Sequence, residues 1–197
     1  MTVIFACRDG EGNGAIACDT ALSYGSCLKT VGSSKLVKFP NFIVGTSGSC
    51  TIQNILEELA EEEENELLFI DSAKDVRDLM RKVLKLAKPD YELNDQVRTG
   101  QDFTLLFLTC EGRIFCGFHD MSAIEYTDYT AIGSGRDYAL GAAHALLTLD
   151  ADERVSLALT DIASLAVEAA DLCPSCDSYK MVIMDQNGVE YDCNSCL

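Results

Sequence analysis

The order of hydrophobic patterns along the chain predicts a layered α+β fold, in which strands and helices form separate groups. A run of short strands comes first, two helices follow, and both groups then occur a second time before a final hairpin. Strands grouped apart from helices favour α+β over alternating α/β. A four-layer αββα sandwich satisfies this order. We therefore expect one domain over residues 1–197, because no repeat or low-complexity linker divides the chain.

The first fifty residues read as strands separated by turns. The glycine-rich segment RDGEGNG and the Pro40-Asn41 pair are typical turn sequences between apolar runs. The predicted strands are 2–7, 15–18, 35–39 and 42–47.

Two amphipathic helices are predicted next, because apolar residues recur at helical spacing. The second helix follows Ser72, a suitable N-cap residue. The apolar stripes are Ile52, Ile55, Leu56 and Leu59, and then Val76, Leu79, Met80, Val83 and Leu84.

The second half of the chain repeats the pattern of strands followed by helices. Segments 103–110 and 113–118 flank Glu111-Gly112 as a hairpin, and 126–132 is a further strand. Helices are predicted from Arg136 through 147 and over 152–172. Asn187-Gly188, a strong hairpin signal, separates the last two strands, 179–184 and 189–193.

Acidic residues outnumber basic ones by 32 to 15, which gives a formal charge of −17. This charge repels phosphate backbones and anionic lipid, so we expect no nucleic-acid or membrane partner. The glutamate-rich segment 57–66 is interpreted as a solvated helix face followed by a loop. No stretch reaches the roughly 18 apolar residues of a membrane span, and no basic segment precedes an apolar one at the start. We therefore expect a cytoplasmic protein.

The common catalytic motifs are missing from the sequence. It has no HExxH, Walker, Rossmann or GxSxG motif, and its two histidines, His119 and His144, give little support to a Ser-His-Asp site. A nucleophile in this chain therefore takes its base from another group. The ten cysteines, without a signal peptide, favour free thiols or a metal site in a reducing compartment.

Five segments of the chain carry a recognisable pattern, in this order: 1–4 with IACDTALSYG, a lysine segment at 34–39, a glycine-containing loop at 43–49, AIGSGRDYALGAAHALL, and the helix ending in EAADLC. In this order they resemble the HslV and proteasome β-subunit family, in which the second segment carries a lysine and the third forms the oxyanion loop. The similarity runs from residue 2 to about 185 and is weakest across 60–105.

The resemblance implies an N-terminal-nucleophile threonine peptidase in which Thr2 is the nucleophile once Met1 is removed. A threonine hydroxyl is a weak nucleophile and needs an adjacent base, and a free α-amine has an ordinary pKa of about 7.7 to 8. Residue 2 supplies both groups. By resemblance, Lys35 is the cation that keeps this amine neutral, and Asp19 pairs with the lysine and orients it.

Three more catalytic positions follow from the same resemblance. Gly48 matches the glycine whose N–H faces the oxyanion, a donor whose removal typically costs about 3 to 4 kcal/mol. Ser134 and Asp171 match residues that hydrogen-bond the terminal amine and assist proton transfer. The matching substrate-pocket positions are Ser33, Thr46 and Cys50, which are small and indicate neither a basic nor an acidic preference.

The resemblance also implies an assembly: a stacked homo-oligomeric ring of six or seven subunits that degrades unfolded polypeptide, fed by a hexameric ATPase such as HslU. Two alternatives stay open from the sequence. One is an inactive homologue that serves as a ring-forming or binding module, and the other is an amidohydrolase acting on a small amide. The chemistry itself requires no cofactor.

A cysteine-rich hairpin at 173–197 carries two CxxC pairs separated by sixteen residues, a spacing typical of zinc sites. A structural zinc held by Cys173, Cys176, Cys193 and Cys196 is the first expectation. The family resemblance implies instead Na⁺ or Mg²⁺ bound by the backbone carbonyls of Ala170, Cys173 and Cys176. Disulfides or unused thiols are the third interpretation.

Overall fold

The computed structural model describes residues 2–24, 27–30, 34–62, 68–92, 103–148, 157–173 and 181–191. Four helices are described: α1 (Cys50–Glu61), α2 (Ala73–Glu92), α3 (Arg136–Thr148) and α4 (Leu159–Ala169), the last continued by a 3-10 turn, Ala170–Leu172. The strands are β1 (Val3–Arg8), β2 (Gly14–Asp19), β3 (Ala21–Tyr24), β4 (Cys27–Thr30), β5 (Leu36–Lys38), β6 (Phe42–Ser47), β7 (Thr104–Thr109), β8 (Ile114–Phe118), β9 (Ala123–Tyr126), β10 (Tyr129–Gly133), β11 (Met181–Asp185) and β12 (Glu190–Tyr191).

Two five-stranded antiparallel sheets form the centre of the molecule. The first sheet has the order β10-β1-β2-β11-β12, and the second has the order β5-β6-β7-β8-β9. Strands β3 and β4 pair separately as a hairpin. Helices α3 and α4 cover the first sheet, and α1 and α2 cover the second. The predicted αββα order is confirmed.

Strand β1 explains why the sequence opens with an almost unbroken apolar run. Successive side chains point to opposite faces of a strand. Ile4 and Ala6 pack between the two sheets, whereas Val3, Phe5 and Cys7 pack against α3 and α4. Both faces are therefore buried, and every position from 3 to 7 is apolar.

Ser72 caps α2 as the sequence predicts. Its hydroxyl oxygen accepts a hydrogen bond from the Asp75 N–H at 3.3 Å and donates to the Asp75 carboxylate at 2.7 Å. The first turn of the helix thus has a partner for one of its otherwise unpaired N–H groups.

The last hairpin also forms around Asn187-Gly188. The Asp185 carboxylate accepts hydrogen bonds from the N–H groups of Asn187 and Val189, each at 2.9 Å. Gly188 has a φ of +70°, a conformation that glycine adopts readily. Residues 179–180 and 192–193 of the predicted strands lie outside the described residues.

The strand predicted over 126–132 is confirmed from Tyr129 onward as β10, but it does not extend back to Tyr126 as one strand. The chain leaves strand conformation at Thr127 and Asp128, where the Asp128 carbonyl accepts a hydrogen bond from the Arg8 N–H at 2.8 Å. Strand β9 therefore belongs to the second sheet and β10 to the first. Strands β3, β4 and β9 were not predicted.

The predicted start of the fourth helix was also too early. Residues 152–156 lie outside the described residues, but 157 and 158 are not helical. Ala158 has an extended backbone, and its N–H donates to the Asp161 carboxylate at 3.0 Å. Helix α4 therefore begins at Leu159.

The strand registers bring several distant positions to one end of the two sheets. Val3 pairs with Gly133, and Ile4 pairs with Cys18, so Asp19 lies beside the start of β1. In the second sheet Leu36 pairs with Gly45, which places Lys35 beside Thr46. Among the described helices, none is long and apolar enough to cross a membrane.

Candidate active site

Thr2 lies at the start of β1, almost entirely buried, with 8% of its surface exposed. Its backbone nitrogen donates to the Ser134 hydroxyl at 3.3 Å, and the same hydroxyl donates to the Thr2 carbonyl at 3.4 Å. The Gly135 N–H also donates to that carbonyl, at 3.3 Å. The segment between β10 and α3 thus holds the backbone of residue 2 in place.

Gly133 makes this close approach feasible. Its φ is +91°, and a Cβ atom at this position would lie 2.0 Å from the Thr2 carbonyl oxygen. Only glycine combines this left-handed conformation with the absence of a side chain. The glycine of the Ile-Gly-Ser-Gly segment therefore allows Ser134 to reach Thr2.

Lys35 and Asp19 form a buried ion pair next to the start of β1. The Lys35 Nζ lies 2.6 Å from the Asp19 Oδ1, and the two residues are 3% and 0% exposed. Asp19 also accepts hydrogen bonds from the Val3 N–H at 2.8 Å and the Ala21 N–H at 3.3 Å. The carboxylate therefore links the lysine to the strand that begins after Thr2.

Burial raises the pKa of the Asp19 carboxyl above its ordinary value. The Lys35 ammonium, through its charge and its hydrogen bond, and the N–H groups of Val3 and Ala21 act in the opposite direction. A buried carboxylate with this many donors and a cation at 2.6 Å meets the conditions under which a buried charge is tolerated.

A small cleft brings the predicted residues together at this end of the sheets. Thr2 and Lys35 line it from the strands, and the loop before α1 lines it from the other side. The lining residues are Thr2, Lys35, Thr46, Gly48, Ser49, Cys50 and Gln53. Five predicted site residues therefore share one cavity. Ser33 lies outside the described residues.

The start of α1 and the residues just before it line one side of the cleft. Gly48 has a φ of +109°, and α1 begins two residues later, with no side-chain cap hydrogen bond at Ser49. The first N–H groups of a helix have no partner within the helix and carry a partial positive charge. An anionic oxygen in the cleft would be stabilised by such groups, the role predicted for Gly48.

Asp171 lies in the 3-10 turn that follows α4 and is exposed. This turn packs against α3. The neighbouring Cys173 Sγ lies 3.8 Å from the Ser134 carbonyl oxygen. Asp171 is therefore near the segment that holds Thr2, whereas its predicted role in proton transfer stays a prediction.

Most of the predicted metal ligands lie outside the residues that the structure describes. Cys176, Cys193 and Cys196 lie outside the described residues, and Cys173 is buried. The Ala170 carbonyl accepts a hydrogen bond from the Cys173 N–H at 2.8 Å. In the described part of the chain, no three His, Cys, Asp or Glu side chains cluster as metal ligands would. These residues give a metal site no support, and the zinc and carbonyl-bound cation stay predictions.

Gln53 and Ser49 line the cleft but were not predicted as site residues. Gln53 follows Cys50 by three positions, so both lie on the same face of α1. That spacing, counted from the predicted oxyanion loop, is the signal that could have identified Gln53.

Comparison with known proteins supports the fold through structure and not through sequence. No protein-family model and no curated protein matches the chain. Thiobacillus denitrificans BPH, solved in complex with epoxomicin, is similar with a TM-score of 0.76 and 24% identity, over 95% of this chain and 100% of that one.

Two further solved structures have the same fold. Eukaryotic HslV from Trypanosoma brucei has a TM-score of 0.64 at 20% identity, over 93% of this chain and 98% of that one. Anbu, an ancestral β-subunit from Yersinia bercovieri, has a TM-score of 0.67 at 20% identity, over 93% and 81% of the two chains. The chain therefore has the fold of proteasome-type N-terminal-nucleophile hydrolases, as the resemblance implied.

Proposed function

We propose that this protein is a threonine peptidase whose nucleophile is Thr2, exposed as the terminal residue by removal of Met1. One observation carries the proposal: Thr2 shares a cleft with Lys35, which is paired with buried Asp19, and the Thr2 backbone nitrogen contacts the Ser134 hydroxyl. A hydroxyl, an amine and a fixed cation are the groups that this chemistry requires.

The first half of the proposed reaction forms an ester. The terminal amine takes the proton from the Thr2 Oγ1 as this oxygen bonds to the substrate carbonyl carbon. The negative charge that develops on the carbonyl oxygen faces the Gly48 N–H. The C–N bond then breaks, and the departing amine takes the proton from the Thr2 ammonium.

The second half regenerates the enzyme. Water loses a proton to the Thr2 amine and attacks the ester carbon, and the Thr2 Oγ1 leaves with that proton. Throughout, the Lys35 ammonium favours the neutral form of the Thr2 amine, since a like charge nearby lowers the pKa of an amine. In this proposal Ser134 holds the amine, and Asp171 assists proton transfer.

For the assembly, we propose a homo-oligomeric stacked ring that cleaves unfolded polypeptide. The shared fold with HslV and Anbu supports this proposal. A hexameric ATPase partner such as HslU belongs to the proposal, and the cytoplasmic location stays a prediction. Sedimentation velocity would test the assembly, because two stacked rings of six or seven subunits require a particle of at least about twelve subunits.

The test of the proposed function compares wild type with Thr2→Ala and Thr2→Ser after intact mass has established loss of Met1. We expect wild type to hydrolyse fluorogenic peptides, Thr2→Ser to retain part of this activity, and Thr2→Ala to have none. Epoxomicin, found bound to BPH, should bind trimmed wild type and map to the Thr2 peptide.

Hydrolysis that survives in Thr2→Ala, or an epoxomicin adduct on a cysteine, would contradict the mechanism. Retention of Met1 in the native protein would favour the inactive homologue. Hydrolysis of small amides without any peptide cleavage would favour the amidohydrolase.

A further inference from the structure

Gln53 lies in the cleft without a role in the reaction described above. Its side-chain Nε2 donates two hydrogen bonds, one to the Ser34 carbonyl at 2.8 Å and one to the Glu57 carboxylate at 2.9 Å. The Glu57 bond lies within α1, but the Ser34 bond leaves the helix and joins the segment that carries Lys35. Gln53 therefore connects the two sides of the cleft.

The backbone at Lys35 and at its neighbour Ser34 is held by hydrogen bonds. The Ser34 hydroxyl oxygen accepts from the Leu36 N–H at 2.9 Å, which fixes the turn before β5. The Lys35 carbonyl accepts from the Thr46 N–H at 3.3 Å. The Gln53 bond to Ser34 adds an anchor from α1, the helix that follows the Gly48 loop.

We propose that Gln53 is a positioning residue for Lys35, and this inference rests on the proposed function. The Lys35 ammonium is buried and paired with Asp19. By holding the Ser34 carbonyl, Gln53 fixes the distance between this ammonium and the Thr2 amine. The effect of an ammonium on the pKa of a nearby amine depends on their separation. Loss of the anchor moves the cation away and raises the pKa of the amine.

The experiment uses Gln53→Met, which keeps the length of the side chain but removes the amide donor. We expect kcat to fall roughly tenfold to a hundredfold with KM nearly unchanged, as for a misplaced catalytic group. The acidic limb of the pH profile should move to higher pH, because an amine with a higher pKa needs a higher pH to become neutral.

Glu57→Ala is the matched control, because it removes the other partner of the same Gln53 nitrogen and leaves the Ser34 bond. We expect its kcat and pH profile to equal those of wild type. Gln53→Asn, which keeps a shorter donor, should recover part of the activity.

The outcomes separate the inference from the proposed function. A trimmed wild type without any hydrolysis overturns both. An active wild type together with a Gln53→Met variant of unchanged kcat and pH profile overturns the positioning role alone. A rise in KM with an unshifted pH profile also overturns it, since that result assigns Gln53 to substrate contact.

Discussion

Lys35 and Asp19 are removed from water, and each depends on the other for a tolerable environment. A buried pair is weak evidence for stability as a pair, but loss of one partner leaves a buried charge without compensation. Asp19 has two backbone donors in addition to Lys35, and the Lys35 Nζ lies 2.6 Å from the carboxylate. We therefore expect Lys35 and Asp19 to contribute to the stability of the fold as well as to the candidate site.

Lys35→Met should lower the free energy of unfolding by about 3 to 5 kcal/mol and abolish peptide hydrolysis. Lys38→Met is the control, because Lys38 lies on the adjoining strand β5 but is exposed, and we expect a change within about 0.5 kcal/mol. Urea unfolding of both variants measures the difference. Equal losses of stability in the two would refute the account of the buried pair.

Thiols in this protein differ in their access to solvent. Cys50 lines the cleft and is exposed, as is Cys110, whereas burial raises the pKa of the Cys18 thiol to about 11. The thiolate is the reactive form of cysteine. Cys18 therefore stays protonated and shielded at neutral pH.

A bulky maleimide at pH 7.5 should modify Cys50 and Cys110 but leave Cys18 unmodified, as judged by peptide mapping. Modification of Cys50 should block hydrolysis because the adduct occupies the cleft. Cys50→Ser should resist inhibition, and Cys110→Ser should remain sensitive. Inhibition that persists in Cys50→Ser would place the sensitive thiol elsewhere.

At the scale of single elements, the join between β10 and α3 does most to define the site. Gly133 ends β10 with a positive φ, and the next residue contacts Thr2. Helix α3 contains a second glycine, Gly141, where an added Cβ atom would meet no atom within 4 Å. Substitution by alanine at Gly133 and at Gly141 therefore compares a position without space for a side chain with one that has space.

Gly133→Ala should lose hydrolysis and stability, because the new methyl group overlaps the Thr2 carbonyl and the φ of +91° is strained for alanine. Gly141→Ala should raise the free energy of unfolding by about 0.5 to 1 kcal/mol, the gain from better helix propensity. Thermal unfolding and peptide hydrolysis measure both variants. A Gly133→Ala protein as active as wild type would show that the contact with Thr2 is not required.

The elements predicted correctly are those whose buried faces leave a clear pattern. Strands β6, β7 and β8 and helices α1 and α2 pack apolar side chains at the expected spacing. Strand β9 has no buried residue, so its sequence carries no alternation that identifies a strand. Helix α4 starts after Ala158, a poor N-cap residue, and its start depends on the Asp161 carboxylate instead.

The candidate site was predicted through resemblance and only partly through physical rules. The hydrogen bond between Thr2 and Ser134 joins residues 132 positions apart, and no local pattern predicts such a contact. The role of Gln53 depends on how closely the loop before Lys35 approaches α1, which is a property of packing. From the sequence, Gln53 is only a polar residue on an amphipathic helix, and nothing in that pattern predicts its contact with Ser34.

For the whole molecule, buried side chains pack in three layers, and three of the four buried thiols described within them have a strongly raised pKa. Burial raises the pKa of Cys7 and Cys116 to about 12 and that of Cys18 to about 11. Cys7 lies between the first sheet and its helices, and the other two lie between the sheets. In the unfolded chain these thiols ionise near their ordinary pKa of about 8.5.

Stability should therefore fall as pH rises above about 9. Between the unfolded and folded pKa values the native state binds more protons than the unfolded state, so each thiol lowers the free energy of unfolding by about 1.4 kcal/mol per pH unit. Urea unfolding from pH 8 to 10.5 measures the slope. Cys116→Ala should show a shallower slope than wild type, and identical slopes in the two proteins would contradict this origin of alkaline instability.

Strand β1, which begins directly after Thr2, is held rigidly within the first sheet. It is the second strand of the first sheet, paired on both edges and covered on both faces, and its Val3 N–H is fixed to the Asp19 carboxylate. Chain ends usually fray and exchange their amide protons within seconds, whereas central strands open only when the protein unfolds. Here the Val3 amide, next to the proposed nucleophile, should exchange as slowly as the core. The same cooperative unit that keeps the molecule folded would then hold the proposed nucleophile in position.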